Sequence, residues 1–295
     1  MKNNIQGTGV ALVTPFTKTK EVDYDSLRAL VENVTEGGAD YLVVLGTTAE
    51  TPTLTKEEKH EIAKFVKGVN NGRLPIVLGI GGNNTAEIIK CFGEYDMDDI
   101  TAILSVTPYY NKPSQQGLYE HYKTIAAESP RPVMLYNVPG RTGVNLCAET
   151  TLKLAHECNN IFAVKEASGS LSQISYILKD KPENFMVISG DDNMALPLIA
   201  LGGDGVISVA ANAFPKALCK MVKLCLAGDF ASASIIQLSM LECIDSLFKE
   251  GNPVGIKCAL AIKNVMQNEL RLPLVAASDC LHGDIKKLME KYRLE

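Results

Sequence analysis

Short runs of apolar residues recur along the chain, and segments with helical spacing lie between them. Eight such runs occupy 9–13, 41–45, 76–80, 100–106, 133–136, 161–164, 185–188 and 205–209. Because these runs are continuously apolar rather than alternating, they are typical of parallel strands buried on both faces. The intervening segments are long enough to form crossover helices. The pattern therefore predicts an α/β fold with a (β/α)8, or TIM, barrel.

An open doubly wound sheet is the structural alternative to a barrel. Such sheets that bind dinucleotides carry a Gly-x-Gly-x-x-Gly motif after the first strand, and this chain has none there. The even spacing of the eight predicted strands also favours closure into a barrel.

Two of the predicted helices have recognisable start signals. Asp23 precedes an amphipathic run, which Gly37-Gly38 is expected to end. Thr55, followed three residues later by Glu58, predicts a capping box at the start of the next helix. The apolar face of the first helix consists of Leu27, Leu30, Val31 and Val34.

The pattern changes after the eighth strand, where only helical spacing is found. Apolar residues recur at helical intervals over Ala231–Lys249, and no further strand pattern follows. A chain of 295 residues also exceeds the roughly 250 of a plain barrel. We therefore expect a catalytic barrel over 1–228 and a small C-terminal helical region over 229–295, joined through Ala227-Gly228-Asp229.

Composition and charge exclude several classes of protein. The chain has 46% hydrophobic and 21% charged residues, which disfavours disorder and coiled coil. Its net charge of −5 provides no basic footprint for nucleic acid. No stretch reaches the roughly 18 uninterrupted apolar residues of a membrane span, and Met1–Asn4 is not followed by the apolar core of a signal peptide. We expect a cytoplasmic protein that binds neither nucleic acid nor membrane.

The cysteines and histidines show no metal-binding or disulfide pattern. The chain has eight cysteines without a Cys-x-x-Cys pair, and most lie among apolar helical residues. Buried free thiols are therefore expected. The four histidines are dispersed and do not form a ligand spacing such as His-Glu-x-x-His, so no metal is predicted. The cysteines are Cys91, Cys147, Cys158, Cys219, Cys225, Cys243, Cys258 and Cys280.

Polar and reactive residues follow the predicted strands, at the end where a barrel enzyme carries its active site. Lys165 is the most informative, because it directly follows the apolar run Ile161–Val164 and is expected to point toward the barrel mouth. Burial favours the neutral amine, which is the form that attacks a carbonyl to make an imine. Lys165 is therefore predicted to be a nucleophile toward a keto acid. A structural ion pair with Glu166 or Asp191 is the alternative.

Other strand ends offer groups that suit this chemistry. Tyr136 has a phenol that can relay protons, although a tyrosine in this position is by itself more often a core residue with a satisfied hydroxyl. Thr47 and Thr48 offer hydroxyls and backbone N–H groups for a carboxylate, or form an ordinary turn. Arg141 has a guanidinium for a second carboxylate, or for a surface salt bridge.

The motifs at these strand ends resemble one family over almost the whole chain. They read Gly-Thr-Thr-x-Glu, Tyr-Tyr-Asn-x-Pro, Tyr-Asn-x-Pro-x-Arg-Thr-Gly, Lys-Glu-Ala-Ser-Gly and Ser-Gly-Asp-Asp, in this order. The set closely resembles the dihydrodipicolinate synthase family, which belongs to the pyruvate-dependent lyases that form Schiff bases. Arg141 separates this family from the related neuraminate lyases, which lack it.

The resemblance implies a reaction and its catalytic residues. Lys165 would form an imine with pyruvate, and the derived enamine would attack L-aspartate 4-semialdehyde in the pathway to diaminopimelate and lysine. Tyr136 would be the proton relay, and Thr48 would link it to Tyr110. The family delivers the residue matching Tyr110 from a neighbouring subunit, so the resemblance implies a homo-oligomer, more often a tetramer than a dimer.

The resemblance also implies the substrate-binding residues. Thr47 and the Thr48 backbone would hold the pyruvate carboxylate, and Arg141 would receive the carboxylate of the semialdehyde. Gly190 and Ile207 would contribute backbone groups near the substrate. No organic cofactor or metal is implied, because the lysine itself supplies the electron sink.

The chain departs from the family pattern at two places. Ala49 stands where the motif usually has glycine, which would strain the loop if φ there is positive. In the allosteric lysine pocket, Asn83, Glu87 and Tyr109 match, but Lys56 and Lys59 replace two histidines. Because added cations repel a lysine ligand, weak or absent inhibition by L-lysine is expected.

Two other functions stay open from the sequence alone. A pyruvate aldolase with another acceptor, such as a sugar acid or a keto acid, is favoured only if Arg141 faces away from the site. A barrel that binds metabolites without turnover is disfavoured because Lys165, Tyr136 and Thr48 are all retained.

Overall fold

The computed structural model describes residues 5–293, in which eight parallel strands close into a barrel in chain order. The barrel closes because the first strand pairs with the last, with Gly7 opposite Gly205. The predicted (β/α)8 fold is thereby confirmed. The strands are β1 (Gly7–Ala11), β2 (Tyr41–Val44), β3 (Ile76–Gly79), β4 (Ile100–Val106), β5 (Val133–Asn137), β6 (Ile161–Glu166), β7 (Met186–Ser189) and β8 (Gly205–Ser208).

The first strand lies two residues earlier than its apolar run predicts. Leu12 and Val13 are buried, but they belong to the segment that leaves the sheet. The strand begins instead at Gly7, whose φ is 104°. A side chain at Gly205 would collide with the Gly7 backbone, so the two glycines allow β1 and β8 to approach and close the barrel.

The helices alternate with the strands around the barrel. They are α1 (Tyr24–Glu36), α2 (Lys56–Asn70), α3 (Thr85–Phe92), α4 (Gln115–Glu128), α5 (Pro139–Thr142), α6 (Ala148–Glu157), α7 (Leu171–Asp180), α8 (Ala195–Ala200), α9 (Pro215–Leu226), α10 (Phe230–Phe248), α11 (Val254–Ile262) and α12 (Asp279–Tyr292). Both predicted start signals are present. The Asp23 side chain accepts from the Ser26 N–H, and Thr55 and Glu58 form a reciprocal capping box.

The hydrophobic core has two layers. One fills the barrel interior and contains Tyr136, Ile188 and Ile207 among its buried members. The other lies between the strands and the surrounding helices, and it includes the predicted apolar face of α1. The two layers explain why the strands read as continuous apolar runs, since alternate residues enter different buried environments.

The C-terminal helices pack on one another and on the barrel. Helix α10 contacts α9, α11 and α12, and α11 also contacts the turn that follows β8. Residues Val254–Leu260 of α11 are all buried. Helix α10 begins one residue earlier than predicted, with Asp229 as its N-cap. The division at 228/229 stays a prediction, since the two parts share a continuous packed interface.

Helix α10 also has the length and composition of a membrane span. It has 19 residues and a mean hydropathy of 1.2, and 39% of the segment is buried inside the protein. Core helices of globular proteins meet the same two criteria, and one such helix is weak support for a membrane protein. The polar residues Glu242 and Asp245 interrupt its apolar sequence.

The cysteines are free thiols, but only half of them are buried. Cys219, Cys225, Cys243 and Cys258 are buried, whereas the other four are partly or fully exposed. Burial raises the pKa of the Cys219, Cys243 and Cys258 thiols to about 11, so these stay protonated and unreactive at neutral pH. Over 5–293 no three His, Cys, Asp or Glu residues form a cluster that could hold a metal ion.

Candidate active site

Lys165 and Tyr136 lie side by side at the C-terminal ends of β6 and β5. The register of the two strands pairs them directly. Lys165 is 5% exposed, and its Nζ lies 4.1 Å from the centroid of the Tyr136 ring. Lys165 is the penultimate residue of β6 rather than the residue after it, so the strand itself directs its side chain. The parallel register therefore places an amine and a phenol together at the barrel mouth.

The neighbouring carboxylate does not pair with Lys165. Glu166 accepts hydrogen bonds from the Asn137 amide, from the Ser168 N–H and from the Gln173 amide. Successive strand residues point in opposite directions, so Glu166 faces away from the barrel interior. Within the described part of the chain, no carboxylate forms an ion pair with Lys165. The structural ion pair considered from the sequence, with Glu166 or Asp191, is therefore wrong for this chain.

Gly190 leaves room for the lysine stem. It follows β7, and a Cβ added there would lie 2.9 Å from Lys165 Cε and 2.7 Å from Ala167 Cβ. Real Cβ atoms do not approach other atoms so closely, so a side chain at Gly190 would push against the lysine. Glycine is required at this position by the close approach and not by its backbone conformation.

The two threonines lie in a short 3-10 turn after β2, over Thr47–Ala49. Thr48 is 2% exposed, and its Oγ1 accepts a hydrogen bond from the Asn252 amide at 3.1 Å. The left-handed positions of this loop are Leu45, with φ 58°, and Glu50, with φ 55°. Ala49 lies between them outside the left-handed region, so its methyl group does not strain the loop.

Arg141 faces the same cavity from α5. Its side chain is exposed, and the guanidinium donates to the Asn252 carbonyl at 3.2 Å. No carboxylate in 5–293 forms a salt bridge with it, so the surface ion pair considered from the sequence is not formed. The guanidinium retains donors for an anionic ligand.

Two adjoining cavities lie at the C-terminal end of the barrel, and most of the predicted catalytic and substrate-binding residues line one or both of them. The first has a volume of about 360 Å³, and the second has about 490 Å³, both within the usual range for small-ligand sites. Tyr136 and Arg141 line both cavities, and Thr47 lines the second. The first cavity is lined by Lys165, Tyr136, Thr48, Arg141 and Gly190 among others. Ile207 is fully buried at the end of β8, inside the barrel.

Tyr110 is not brought to this cavity by the single chain. It is 89% exposed and has φ 72°, which is unusual for a tyrosine. Its neighbour Tyr109 is also exposed, but it lines the second cavity. The Tyr110 ring is therefore presented to solvent and lines neither cavity.

The residues predicted for an allosteric pocket lie around the second cavity. The Asn83 amide donates to the Tyr109 carbonyl at 3.1 Å, and Lys56 and Lys59 line the cavity wall. Lys56 forms a salt bridge with Glu94, which raises the pKa of the Lys56 amine. Its charge is therefore partly neutralised, so the repulsion expected from Lys56 is smaller than the sequence indicates. Glu87 lies in the first turn of α3, close enough to act electrostatically on Lys56.

Sequence reasoning missed one residue that joins several parts of the site. Asn252 donates to Thr48 through its amide and accepts from Arg141 through its carbonyl. It lies in the C-terminal region and not at a strand end, so the pattern of polar residues after strands does not predict it. In the sequence, the only local feature at this position is the Asn252-Pro253 dipeptide, which indicates a turn.

The fold and this arrangement define a class of protein. The chain is a (β/α)8 barrel with a buried amine, a phenol and hydroxyl groups around one cavity at its C-terminal end. This arrangement is typical of TIM-barrel enzymes, whose active sites lie at that end. The model of the dihydrodipicolinate synthetase family matches residues 4–292, and the chain belongs to that family. The family predicted from the motifs is thereby confirmed, and with it the prediction of an enzyme.

Similar proteins extend over the whole length. A 4-hydroxy-tetrahydrodipicolinate synthase from Phocaeicola vulgatus is 52% identical over 295 residues, covering 100% of this chain and 99% of the relative. The solved dihydrodipicolinate synthase from Thermotoga maritima is 35% identical with a TM-score of 0.96, covering 99% of this chain and 100% of that one. A solved monomeric dihydrodipicolinate synthase variant has 35% identity and a TM-score of 0.96, covering 100% of this chain and 99% of the other.

Proposed function

We propose that this chain has 4-hydroxy-tetrahydrodipicolinate synthase activity, condensing pyruvate with L-aspartate 4-semialdehyde in diaminopimelate and lysine biosynthesis. The observation that carries the proposal is the Lys165 amine. It is buried at a strand end, faces a small cavity beside Tyr136, and has no carboxylate partner in the described chain. An amine so placed suits attack on a carbonyl, and the family membership supplies the substrates.

The proposed reaction begins with attack of the Lys165 amine on the keto carbon of pyruvate. Loss of water from the carbinolamine gives an iminium, and loss of a methyl proton then gives the enamine. The enamine carbon bonds to the aldehyde carbon of the semialdehyde, whose oxygen takes up a proton. The amino group of the semialdehyde next replaces the lysine on the imine carbon, which closes the ring and releases the enzyme. The sum is pyruvate plus semialdehyde giving 4-hydroxy-tetrahydrodipicolinate and water.

The catalytic roles follow from the positions around Lys165. Tyr136 lies beside the amine and is assigned the proton transfers of carbinolamine formation and collapse. Thr48 is buried in the adjacent turn and is assigned the link from Tyr136 to Tyr110. Since Tyr110 is exposed on its own chain, we assign the tyrosine in each site to a second copy of the chain.

The binding roles divide between the two carboxylates. Thr47 and the Thr48 backbone are assigned the pyruvate carboxylate, since the turn presents both a hydroxyl and N–H groups. Arg141 is assigned the semialdehyde carboxylate, because its guanidinium lines the cavity and has no carboxylate partner in 5–293. Gly190 and Ile207 are assigned backbone contacts near the substrate. Because Arg141 lines both cavities, the alternative of an aldolase with another acceptor is disfavoured.

The experiment is borohydride trapping with pyruvate, followed by mass spectrometry. We expect one reduced pyruvate adduct on Lys165 and consumption of pyruvate only when L-aspartate 4-semialdehyde is present. Lys165→Ala is expected to remove the adduct, whereas the exposed Lys179→Ala is the matched control that keeps it. An adduct without semialdehyde turnover would indicate another aldolase. Absence of any adduct would indicate a binding protein, and an adduct that survives Lys165→Ala would refute the nucleophile.

The oligomer and the compartment form the rest of the proposal. We place the enzyme in the cytoplasm as a homo-oligomer, a tetramer more readily than a dimer, that uses no cofactor. The support is the exposed Tyr110 ring, which would complete a site only across a subunit interface. The monomeric variant among the solved relatives means that the family fold does not by itself require assembly. Sedimentation velocity on the purified protein tests this, and a monomer with full activity would contradict it.

A further inference from the structure

A buried ion pair joins the loop after β2 to the C-terminal region. Glu50 follows the turn that carries the two threonines, and Lys257 lies on α11. Their side chains form a salt bridge in which Lys257 is 0% and Glu50 1% exposed. In the part of the chain that the structure describes, the other salt bridges are all at least partly exposed.

Each charged group also makes contacts outside the ion pair. The Lys257 amine donates to the Glu269 carbonyl at 2.9 Å and lies 4.2 Å from the centroid of the Phe16 ring. On the opposite side, the backbone N–H of Arg271 donates to Glu50 Oε2 at 3.3 Å. Contacts from separate segments therefore set the position of the pair narrowly.

Glu50 is itself part of the threonine turn. Its backbone N–H donates to the Thr47 carbonyl at 3.2 Å, which closes the 3-10 turn. Its φ of 55° lies in the left-handed region, where a glutamate is strained unless its surroundings hold it. The side-chain anchor to Lys257 provides that hold. The end of the turn is therefore in contact with a residue about two hundred positions away in the chain.

A fully buried ion pair contributes little net free energy to folding, because the cost of desolvating both charges offsets much of their attraction. Removing both charges from water is unfavourable, and their attraction offsets only part of that. Burial is the largest influence on Lys257 and lowers its pKa from 10.5 to about 8. A buried pair of this kind is better suited to selecting one arrangement of the surrounding chain. The pair adjoins a turn whose two threonines line the cavities, which argues for a positioning role.

We infer that the Glu50–Lys257 pair positions the Thr47–Thr48 turn to receive the pyruvate carboxylate. The inference rests on the proposed function, which assigns that carboxylate to this turn. Lys257 lines neither cavity, and Glu50 lines the second cavity beside Thr47 with its carboxylate already engaged by Lys257 and the Arg271 N–H. We therefore treat both as positioning residues that act through the threonines. Arg141 lies on a different element, and it bonds the backbone carbonyl of Asn252, whereas Thr48 is contacted by the Asn252 side chain. The pair is therefore expected to affect pyruvate and leave the semialdehyde unaffected.

The experiment compares Lys257→Met with the double variant Glu50→Gln/Lys257→Met. The single variant leaves a buried carboxylate without its counter-ion, so a large fall in Tm is expected. The double variant removes both charges at nearly constant volume and is expected to regain most of the Tm. Lys291→Met, which breaks the exposed pair with Glu242, is the matched control. Each protein is assayed for Tm, for borohydride trapping across pyruvate concentrations, and for the KM of each substrate.

In the double variant, the pyruvate concentration for half-maximal trapping is expected to rise on the order of tenfold, as for one lost hydrogen bond to a charged group. The KM for the semialdehyde is expected to match wild type, and the control is expected to match wild type in both. If borohydride traps no pyruvate adduct on the wild-type enzyme, the proposed function itself is refuted. If the wild type is trapped normally, and the double variant recovers its Tm but shows the same pyruvate dependence as wild type, the inference about the pair is refuted while the proposed function stands. A double variant that stays unstable, or whose two KM values rise together, would show a purely structural pair and would also overturn it.

Discussion

Gly190→Ala tests how tightly the cavity wall controls the proposed nucleophile. The added Cβ would lie 2.7 Å from Ala167 Cβ, 2.9 Å from Lys165 Cε and 3.2 Å from Lys165 Cγ. The Lys165 stem can rotate away from the added methyl group, but the Cβ of Ala167 moves only with its backbone. Overpacking of this kind costs about 1 to 3 kcal/mol of folding free energy. The Ala167 contact can be relieved only by a backbone shift, whereas the Lys165 contacts are relieved by rotation of its stem, so the amine is expected to leave its position beside Tyr136.

The expected result is a modest loss of stability with a large loss of reactivity. Displacing a reacting group by about 1 Å lowers rates on the order of a hundredfold. The rate of borohydride trapping at saturating pyruvate measures imine formation directly, and urea unfolding measures the stability change. Mass spectrometry then confirms that any remaining adduct is still on Lys165.

Gly283→Ala is the matched control for this substitution. Gly283 lies in α12, and an added Cβ there meets nothing within 4 Å. Removing a glycine from a helix interior is expected to raise stability by about 0.5 to 1 kcal/mol without changing the trapping rate. If Gly190→Ala is trapped as fast as wild type with an unchanged unfolding free energy, the close packing around Lys165 is not what sets its reactivity.

Three further predictions concern other parts of the molecule. Tyr110→Phe is expected to slow turnover about a hundredfold by removing a proton-transfer hydroxyl, while pyruvate trapping persists; unimpaired turnover would exclude that role. L-lysine at micromolar concentration is expected to leave steady-state rates unchanged, because Lys59 adds a positive charge to the wall of the second cavity, with a smaller contribution from Lys56, which Glu94 partly neutralises; inhibition there would contradict the repulsion argument. Burial lowers the pKa of His121 from 6.5 to about 4, so the unfolded state takes up a proton that the folded state refuses. Stability is therefore expected to fall by up to about 3 kcal/mol as pH drops from 6.5 toward 4, and His121→Gln should show a shallower fall in urea unfolding; equal slopes would exclude the histidine.

Much of the candidate site was predictable because barrel strands are parallel. Parallel strands bring their C-terminal ends to one rim, so residues that follow apolar runs meet in space even when far apart in sequence. Lys165, Tyr136 and Arg141 were found in this way, and all three line one cavity. The same rule could not exclude a pair between Lys165 and Glu166, since adjacent residues are near in any fold. The direction of each side chain decided that point.

The sequence by itself determined the eight strands, the main helix signals, the family and the set of reactive residues, because periodicity and motif order are local properties of the chain. Only the tertiary structure decided which C-terminal residues contact the Thr47–Ala49 turn and the Glu50 that follows it. The contacts of Asn252 with Thr48 and of Lys257 with Glu50 each join residues about two hundred positions apart. Such contacts leave no local pattern, because a buried amide or charge is defined by the partner that folding brings to it.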